Sequence, residues 1–332
     1  MKTNYWSALG ATATMVAVLL ATALLMPEPG GTSVARASFA PQSAPVLASS
    51  RDFDAAAYNQ SEASALDDME TAAGPVVAAI PGPKYDLDAV LQGQQGVPRV
   101  TWVSLPKNLS AVRETSKRKE IFFKTVLPLV LQVNEQIVED RGRLWNLHAS
   151  QLSGAHLDAI DRLWLAVLAE QYGTKRGDIV ALLDRHDVVP PSLALAQAAT
   201  ESAWGTSRFV REGNAMFGEW TFKSDHQGIV PAGRETGKTH RVRAFDTLLD
   251  SVRSYITNLN KHRAYKEFRK QRTAMRAKGQ VVDGMILAGA LHRYSERGAA
   301  YVSELRSIIS GNDLDLLDSA QLSTDGHFEP II

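Results

Sequence analysis

Leu193-Ala-Leu-Ala-Gln-Ala-Ala-Thr-Glu-Ser-Ala-Trp-Gly205 is a run of small and apolar residues carrying a single charge, Glu201. Pro190 and Pro191 stand just before it, where proline suits a first helical turn, and Gly205 supplies a stop. The pattern predicts a helix over residues 192–204. Gln197, Ala198, Trp204 and Gly205 lie within one turn of the glutamate on its own face. Two effects raise the pKa of such a side chain: partial burial beside apolar and aromatic groups, and the negative end of the helix dipole. A carboxyl kept protonated near neutral pH is a proton donor. The same spacing also fits a solvated glutamate near a helix end, so the surroundings decide.

Those surroundings are helical on the N-terminal side. Residues 121–137 place Ile121, Phe122, Val126, Leu127, Val130, Leu131, Val133 and Ile137 on a broad apolar face, interrupted by Pro128. Amphipathic segments follow at 157–171, ending near Gly173, and at 178–186. Residues 214–245 read differently. Several glycines, a polar middle and strand-like arms at 217–222 and 240–245 predict a hairpin lobe. Helical spacing returns over 247–259, through Leu248, Leu249, Val252, Tyr255, Ile256 and Leu259, and again over 281–291 and 301–309. The fold class is therefore mainly α (α+β), a helical body with a small β-hairpin lobe after the carboxylate-bearing helix. A carboxyl at a helix end, followed directly by a polar hairpin, makes a cleft with an acid on one wall. Glycosidic cleavage needs such a donor, because the departing sugar oxygen leaves poorly until it is protonated.

The 332 residues include no cysteine, which excludes disulfide scaffolds, thiolate zinc sites and thiol nucleophiles. The eight histidines show no metal-ligand spacing, and His240 and His262 read as satisfied polar residues, so neither metal nor cofactor is expected. A formal net charge of zero conceals acidic ends: residues 101–310 hold 31 basic and 22 acidic groups, a net of +9. That body suits a polyanionic partner such as a nucleic acid, a membrane surface or a cell-wall polymer. No basic residues interleave with aromatics as in a nucleic-acid module, so no nucleic-acid partner is expected. After Lys2, residues 6–26 are free of charge and end at Pro27. Residues 1–37 thus read as an N-terminal signal peptide or membrane anchor; the length of the run favours a single uncleaved span, and Ala35-Arg36-Ala37 suits a signal peptidase. Either way the remainder is exported. Residues 38–98, rich in Ala, Pro and Ser, read as a flexible spacer, in which the apolar run 76–80 fits a short strand packed on the body. Residues 312–332 read as a loose acidic tail.

Four ordered motifs carry a family resemblance. Gln197-Ala-Ala-Thr-Glu-Ser-Ala-Trp-Gly-Thr-Ser207, Asn214-Ala-Met-Phe-Gly218, Ala244-Phe-Asp-Thr247 and Tyr294-Ser-Glu-Arg-Gly298 resemble the glucosaminidase family of bacterial peptidoglycan hydrolases, glycoside hydrolase family 73. Gly237-Lys-Thr-His240 and Asn258-Leu-Asn-Lys-His-Arg-Ala-Tyr265 are similar to its Bax-type members. The likeness covers residues 105–310, within a domain set at 99–311. It implies a lysozyme-like fold with the β lobe beside the cleft. It also implies cleavage of the β-1,4 bond after N-acetylglucosamine in peptidoglycan glycan strands, in the periplasm or cell envelope, free or anchored in the inner membrane.

By the same resemblance Glu201 is the general acid and Tyr294 helps to hold the reacting sugar, although Tyr294 and Tyr301 stand one residue further apart than in the commoner family pattern. The second carboxylate falls by order on Glu235 in the lobe, with Asp225 the weaker candidate. Inversion, retention and participation by the substrate's acetamido group all stay open. Trp204, Phe217 and Trp220 fit either sugar-binding walls or core filling, with Trp204 the first choice for the cleft. Asn214 is expected to tie the helix end to the lobe. Two other readings compete: a lytic transglycosylase, which leaves an anhydro sugar, and a non-catalytic wall-binding scaffold.

Overall fold

The computed structural model describes residues 83–234, 237–324 and 329–331. The expected targeting segment, the strand expected at 76–80 and Glu235 lie outside the described residues. A short helix, α1 (Leu87–Leu91), starts on Asp86, whose carboxylate accepts from the amides of Asp88 and Ala89. Val90 and Val97 are buried, and Val97 bridges to Leu322 from the other end of the chain. The spacer expected to reach residue 98 therefore gives way earlier to packed structure. Two apolar residues seven positions apart are too few to show a period in sequence. β1 (Val100–Trp102) then pairs in parallel with β5 (Glu329–Ile331), Val100 opposite Glu329.

The spine is α2 (Thr115–Leu152), 38 residues long. Pro128 lies inside it and does not end it, contrary to the expected interruption. An interior proline costs about 3 kcal/mol. Phe122, Val126, Leu127, Leu129 and Val130 around it are wholly buried, and each such side chain contributes about 1.5–3 kcal/mol, so packing outweighs the lost hydrogen bond. Among the described residues α2 alone is long and apolar enough to cross a membrane, and most of that apolar stretch is buried in this fold. α3 (Ala159–Tyr172), capped by Asp158 and closed by Gly173 at φ 66°, and α4 (Ile179–Arg185) pack on the second half of α2 around Leu144, Leu165, Leu168 and Leu182.

α5 (Pro191–Glu201) runs through the centre, every residue buried, against α2 and the later helices. After α6 (Arg208–Gly213) come β2 (Trp220–Thr221), β3 (Gly228–Ile229) and β4 (Arg241–Arg243), antiparallel in the order β2-β4-β3. Val242 stands opposite both Trp220 and Ile229. The two-armed hairpin expected from sequence is thus a three-stranded sheet with shorter arms. α7 (Leu248–Lys261), capped by Thr247, α8 (Lys266–Ala277), α9 (Gly284–Ala288) and α10 (Ala299–Gly311) complete the mainly helical body.

The tail expected to be loose from residue 312 is packed over 314–322: a 3-10 turn, Leu314–Ser319, buries Leu314 and Leu317. Its Asp318 accepts from the backbone amides of Ser192 (2.9 Å) and Gly284 (2.8 Å), clamping the first turns of α5 and α9 together. Burial pushes this carboxyl up to about 6. The clamp leaves no room at Gly284, where an added Cβ would lie 2.0 Å from Ser192 Oγ and 2.9 Å from the Leu193 amide nitrogen. Gly284→Ala should therefore lower stability by about 2 kcal/mol. Gly142, helical in α2 with nothing within 4 Å of a Cβ, should gain about 1 kcal/mol on replacement by Ala. Denaturant midpoints of the two variants check both signs.

Candidate active site

Glu201 is the last residue of α5 and only 4 % exposed. The helix stops there, three residues before the expected end. Ala203 (φ 49°), Trp204 (φ 57°) and Gly205 (φ 79°) follow in the left-handed region. The two non-glycine residues are strained by roughly 1–2 kcal/mol each. Ser202 holds the turn, its Oγ donating to the Ala198 carbonyl (2.6 Å) and accepting from the Gly205 amide (2.9 Å). The Trp204 amide closes on the Ala199 carbonyl at 2.8 Å. Gly205 is required twice over, since a Cβ there would also lie 2.6 Å from Leu105. The turn thus puts the carboxylate at the helix terminus.

Tyrosines from later elements surround it. The Tyr301 hydroxyl, from α10, donates to Glu201 Oε1 at 2.8 Å. Gln197, one turn back on α5, donates from Nε2 to the Tyr301 hydroxyl (2.9 Å), and its Oε1 accepts from the Tyr255 hydroxyl of α7 (2.7 Å). Tyr294 stacks on Tyr301, centroids 5.6 Å apart and planes at 1°, and lies 5.7 Å from Tyr265. Burial, and after it the neighbouring Glu201 charge, pushes the Tyr265, Tyr294 and Tyr301 hydroxyls above their ordinary value; Tyr255 is raised by burial, Tyr265 and Glu201. All four stay protonated donors at neutral pH.

A second carboxylate, missed by sequence reasoning, faces the same phenols. Glu219 directly follows the Asn214–Gly218 motif, and its charge adds to that of Glu201 at Tyr265 and Tyr294. Ser254 Oγ donates to its Oε2 (2.7 Å), Arg243 stands 3.9 Å away, and its buried Oε1 has no hydrogen-bond partner among the described residues. The side chain is 16 % exposed. Burial pushes it up to about 7 against the opposing pull of Ser254 and Arg243. Position next to a motif was the available signal, but in sequence Glu219 looks like any polar residue on a strand arm.

The other expected residues divide. Tyr294 is beside Glu201's partner, as described. Trp204 is half-buried and packs edge-on against Phe122 and Phe123 of α2, with Lys119 Nζ 4.6 Å above its ring, contacts that give it a part in the core. Phe217 also belongs to the core, 3 % exposed and stacked 3.8 Å from Tyr255. Trp220 is half-buried and stacks on His240 at 4.2 Å. Asn214, left-handed at φ 51°, donates from Nδ2 to the carbonyls of Phe245 and Asp246, tying the end of α6 to the lobe. Asp225 lines a cavity of about 480 Å³ with His226, Arg243 and Ser254, whose walls do not include Glu201. Among the described residues no group of three His, Asp or Glu side chains is placed to hold a metal.

The family model described as Glucosaminidase, mannosyl-glycoprotein endo-beta-N-acetylglucosaminidase, matches residues 178–314. Protein bax of Escherichia coli (strain K12) is 33% identical over 218 residues, 63% of this chain and 74% of that protein. No solved structure matches the chain.

Glu219 has a consequence for stability. Its folded-state pKa of about 7 lies above the ordinary 4.5. Below 4.5 both states hold the proton and its contribution is complete. As pH rises through 7 the folded state must give up a proton that the unfolded chain has already released, and about 3 kcal/mol is lost. Thermal melts at pH 5 and pH 8 should show Glu219→Gln losing less stability over that interval than the unmutated protein.

Proposed function

Because the chain belongs to the glucosaminidase family, as a Bax-type member, we propose that it is an endo-β-N-acetylglucosaminidase acting on peptidoglycan glycan strands, with Glu201 as general acid. The observation that carries this reading is a carboxyl at a helix end, 4 % exposed, held at one oxygen by a tyrosine hydroxyl. A neutral carboxyl in that place can protonate the departing glycosidic oxygen. As the bond lengthens, positive charge grows on the sugar. Glu219, in its ionised form above about pH 7, is the carboxylate we assign to oppose that charge. Tyr294, stacked on the ring of Tyr301, is the aromatic we assign to the reacting sugar. The bond cut is the β-1,4 linkage after N-acetylglucosamine. A wall polymer as substrate goes with export to the cell envelope, and the uncharged run at 6–26 supplies the segment for it.

Digestion of purified wall tests this directly. Glu201→Gln should slow lysis at least about 100-fold while leaving the melting temperature nearly unchanged. Products should carry reducing-end N-acetylglucosamine by mass spectrometry; 1,6-anhydro-muramic ends would make the protein a lytic transglycosylase, and undiminished lysis by the variant would end the general-acid assignment. Glu219→Gln should also lose most activity, and Glu235→Gln should not; the reverse result would hand the second role to Glu235.

A further inference from the structure

We propose that Tyr255 and Gln197 are positioning residues for the acid, setting which oxygen of Glu201 carries its proton through a one-way relay of hydrogen bonds. Both side chains are fully enclosed, at 1 % and 0 % exposure, and belong to the site without reaching a substrate. The inference rests on the reading of Glu201 as general acid.

The relay runs head to tail. Tyr255 O–H donates to Gln197 Oε1 (2.7 Å), Gln197 Nε2–H donates to the Tyr301 oxygen (2.9 Å), and Tyr301 O–H donates to Glu201 Oε1 (2.8 Å). Its direction follows from the chemistry of its members. A primary amide accepts at one end and donates at the other, so once Tyr255 donates into Oε1, the NH₂ of Gln197 must face Tyr301. A hydroxyl has a single proton. Because the Tyr301 oxygen receives the amide N–H, its own proton turns to the carboxyl. Oε1 of Glu201 is then held as an acceptor, and a proton placed there would meet the Tyr301 proton head-on. The neutral carboxyl therefore carries its proton on Oε2, the oxygen turned away from the relay.

Both phenols are gripped by aromatic partners. Tyr255 is stacked under Phe217 at 3.8 Å and 6°, and Tyr301 under Tyr294 at 5.6 Å and 1°. This gives Phe217, which the sequence left open between a sugar wall and core filling, a part in the site: it fixes the ring whose hydroxyl orients Gln197. The titratable groups around Glu201 are Tyr255 of α7, Tyr265 of the turn after it, Tyr294 from the loop before α10, and Tyr301, with Glu219 of the β lobe beyond them. The phenols do not ionise in the neutral range, which leaves the two carboxyls to shape a pH profile there.

Removing the distal hydroxyl with Tyr255→Phe frees the Gln197 amide to turn over. Tyr301 can then donate to Gln197 instead of Glu201, and the carboxylate loses a stabilising donor. The alkaline limb of kcat/KM, which follows the general acid, must then move to higher pH. On soluble glycan strands, Tyr301→Phe should raise that limb by about one pH unit, and Tyr255→Phe should raise it in the same direction by about half as much. In both, kcat should fall about tenfold with KM within about twofold. The rings, and so their stacking, are retained in both variants. Gln197→Met removes the amide donor to Tyr301 without adding a charge, leaves the Tyr301 proton free to swing off Glu201, and should displace the limb upward as well. It reads the same relay should Tyr255→Phe fail to fold. A Tyr255→Phe or Gln197→Met profile that overlays the unmutated limb overturns the relay, as does a lowered melting temperature with an unmoved limb. Glu201→Gln, assayed alongside, separates the two ideas: full activity there defeats the acid assignment itself, whereas an inactive Glu201→Gln with an unmoved Tyr255→Phe limb defeats the relay alone.

Discussion

The 2.8 Å hydrogen bond from the Tyr301 hydroxyl to Glu201 ties α10 to the end of α5, and most of the architecture can be understood as keeping those two groups in register. The other end of α5 is fixed as firmly, by Asp318 receiving the Ser192 amide. Both anchors come from the C-terminal part of the chain. The central helix is therefore clamped at its two termini by groups 100 and 126 residues further along the chain, while its flanks are sealed by α2 and α9. A rigid helix is what a buried carboxyl needs, since an error of a fraction of an ångström at the base is carried along its length to the terminus.

The strain at Ala203 and Trp204 belongs to the same requirement. A helix that continued to residue 204 would place Glu201 one turn inside, with its carboxyl beside the helix wall rather than at the end. Ser202 breaks the helix by offering its own hydroxyl to the ladder, and Gly205 accepts the close approach of Leu105 and Leu109. The edge-on packing of Trp204 on Phe122 and Phe123 buries apolar area that offsets the unfavourable backbone. A conspicuous aromatic next to the acid is thus a structural counterweight to the turn.

What could be read in the sequence follows the same division. Helical periods in α2, α3, α5, α7 and α10 were legible because their apolar residues repeat over three or more turns, and Glu201 stood out as a single charge in such a run. α8 was not, because its buried face includes Arg269 and Arg272 beside Phe268 and Met275, which no apolar pattern registers. Ser202 as the true stop was hidden by the stronger signal of Gly205. Pro128 looked like a break because local rules know nothing of the packing on every side of it. Glu219 was passed over because its environment is assembled from Ser254 and Arg243, more than twenty residues away in the chain, and only the fold brings these beside it. Trp204 and Phe217 were legible as aromatics near the acid, but which way each ring faces is a tertiary fact.

The charge count needs the same correction. The net of +9 over residues 101–310 treats every arginine as surface charge. Arg272 is wholly buried, donating to the carbonyls of Asp184, Arg185, Asp187 and Val188, and Arg269 donates to those of Leu259 and His262. Asp187, itself 2 % exposed, draws in Arg276 at 2.7 Å, Arg141 at 3.4 Å and Arg272 at 3.6 Å, so that α2, α4 and α8 close on one carboxylate. Burial lowers Arg272 to about 10, yet it remains charged at neutral pH. Around Asp187 the helical body has used three guanidinium groups as fasteners, where their fields are partly cancelled and both terminal nitrogens of Arg272 are occupied by backbone carbonyls. The positive potential left to attract an anionic polymer is accordingly smaller than the sequence total implies.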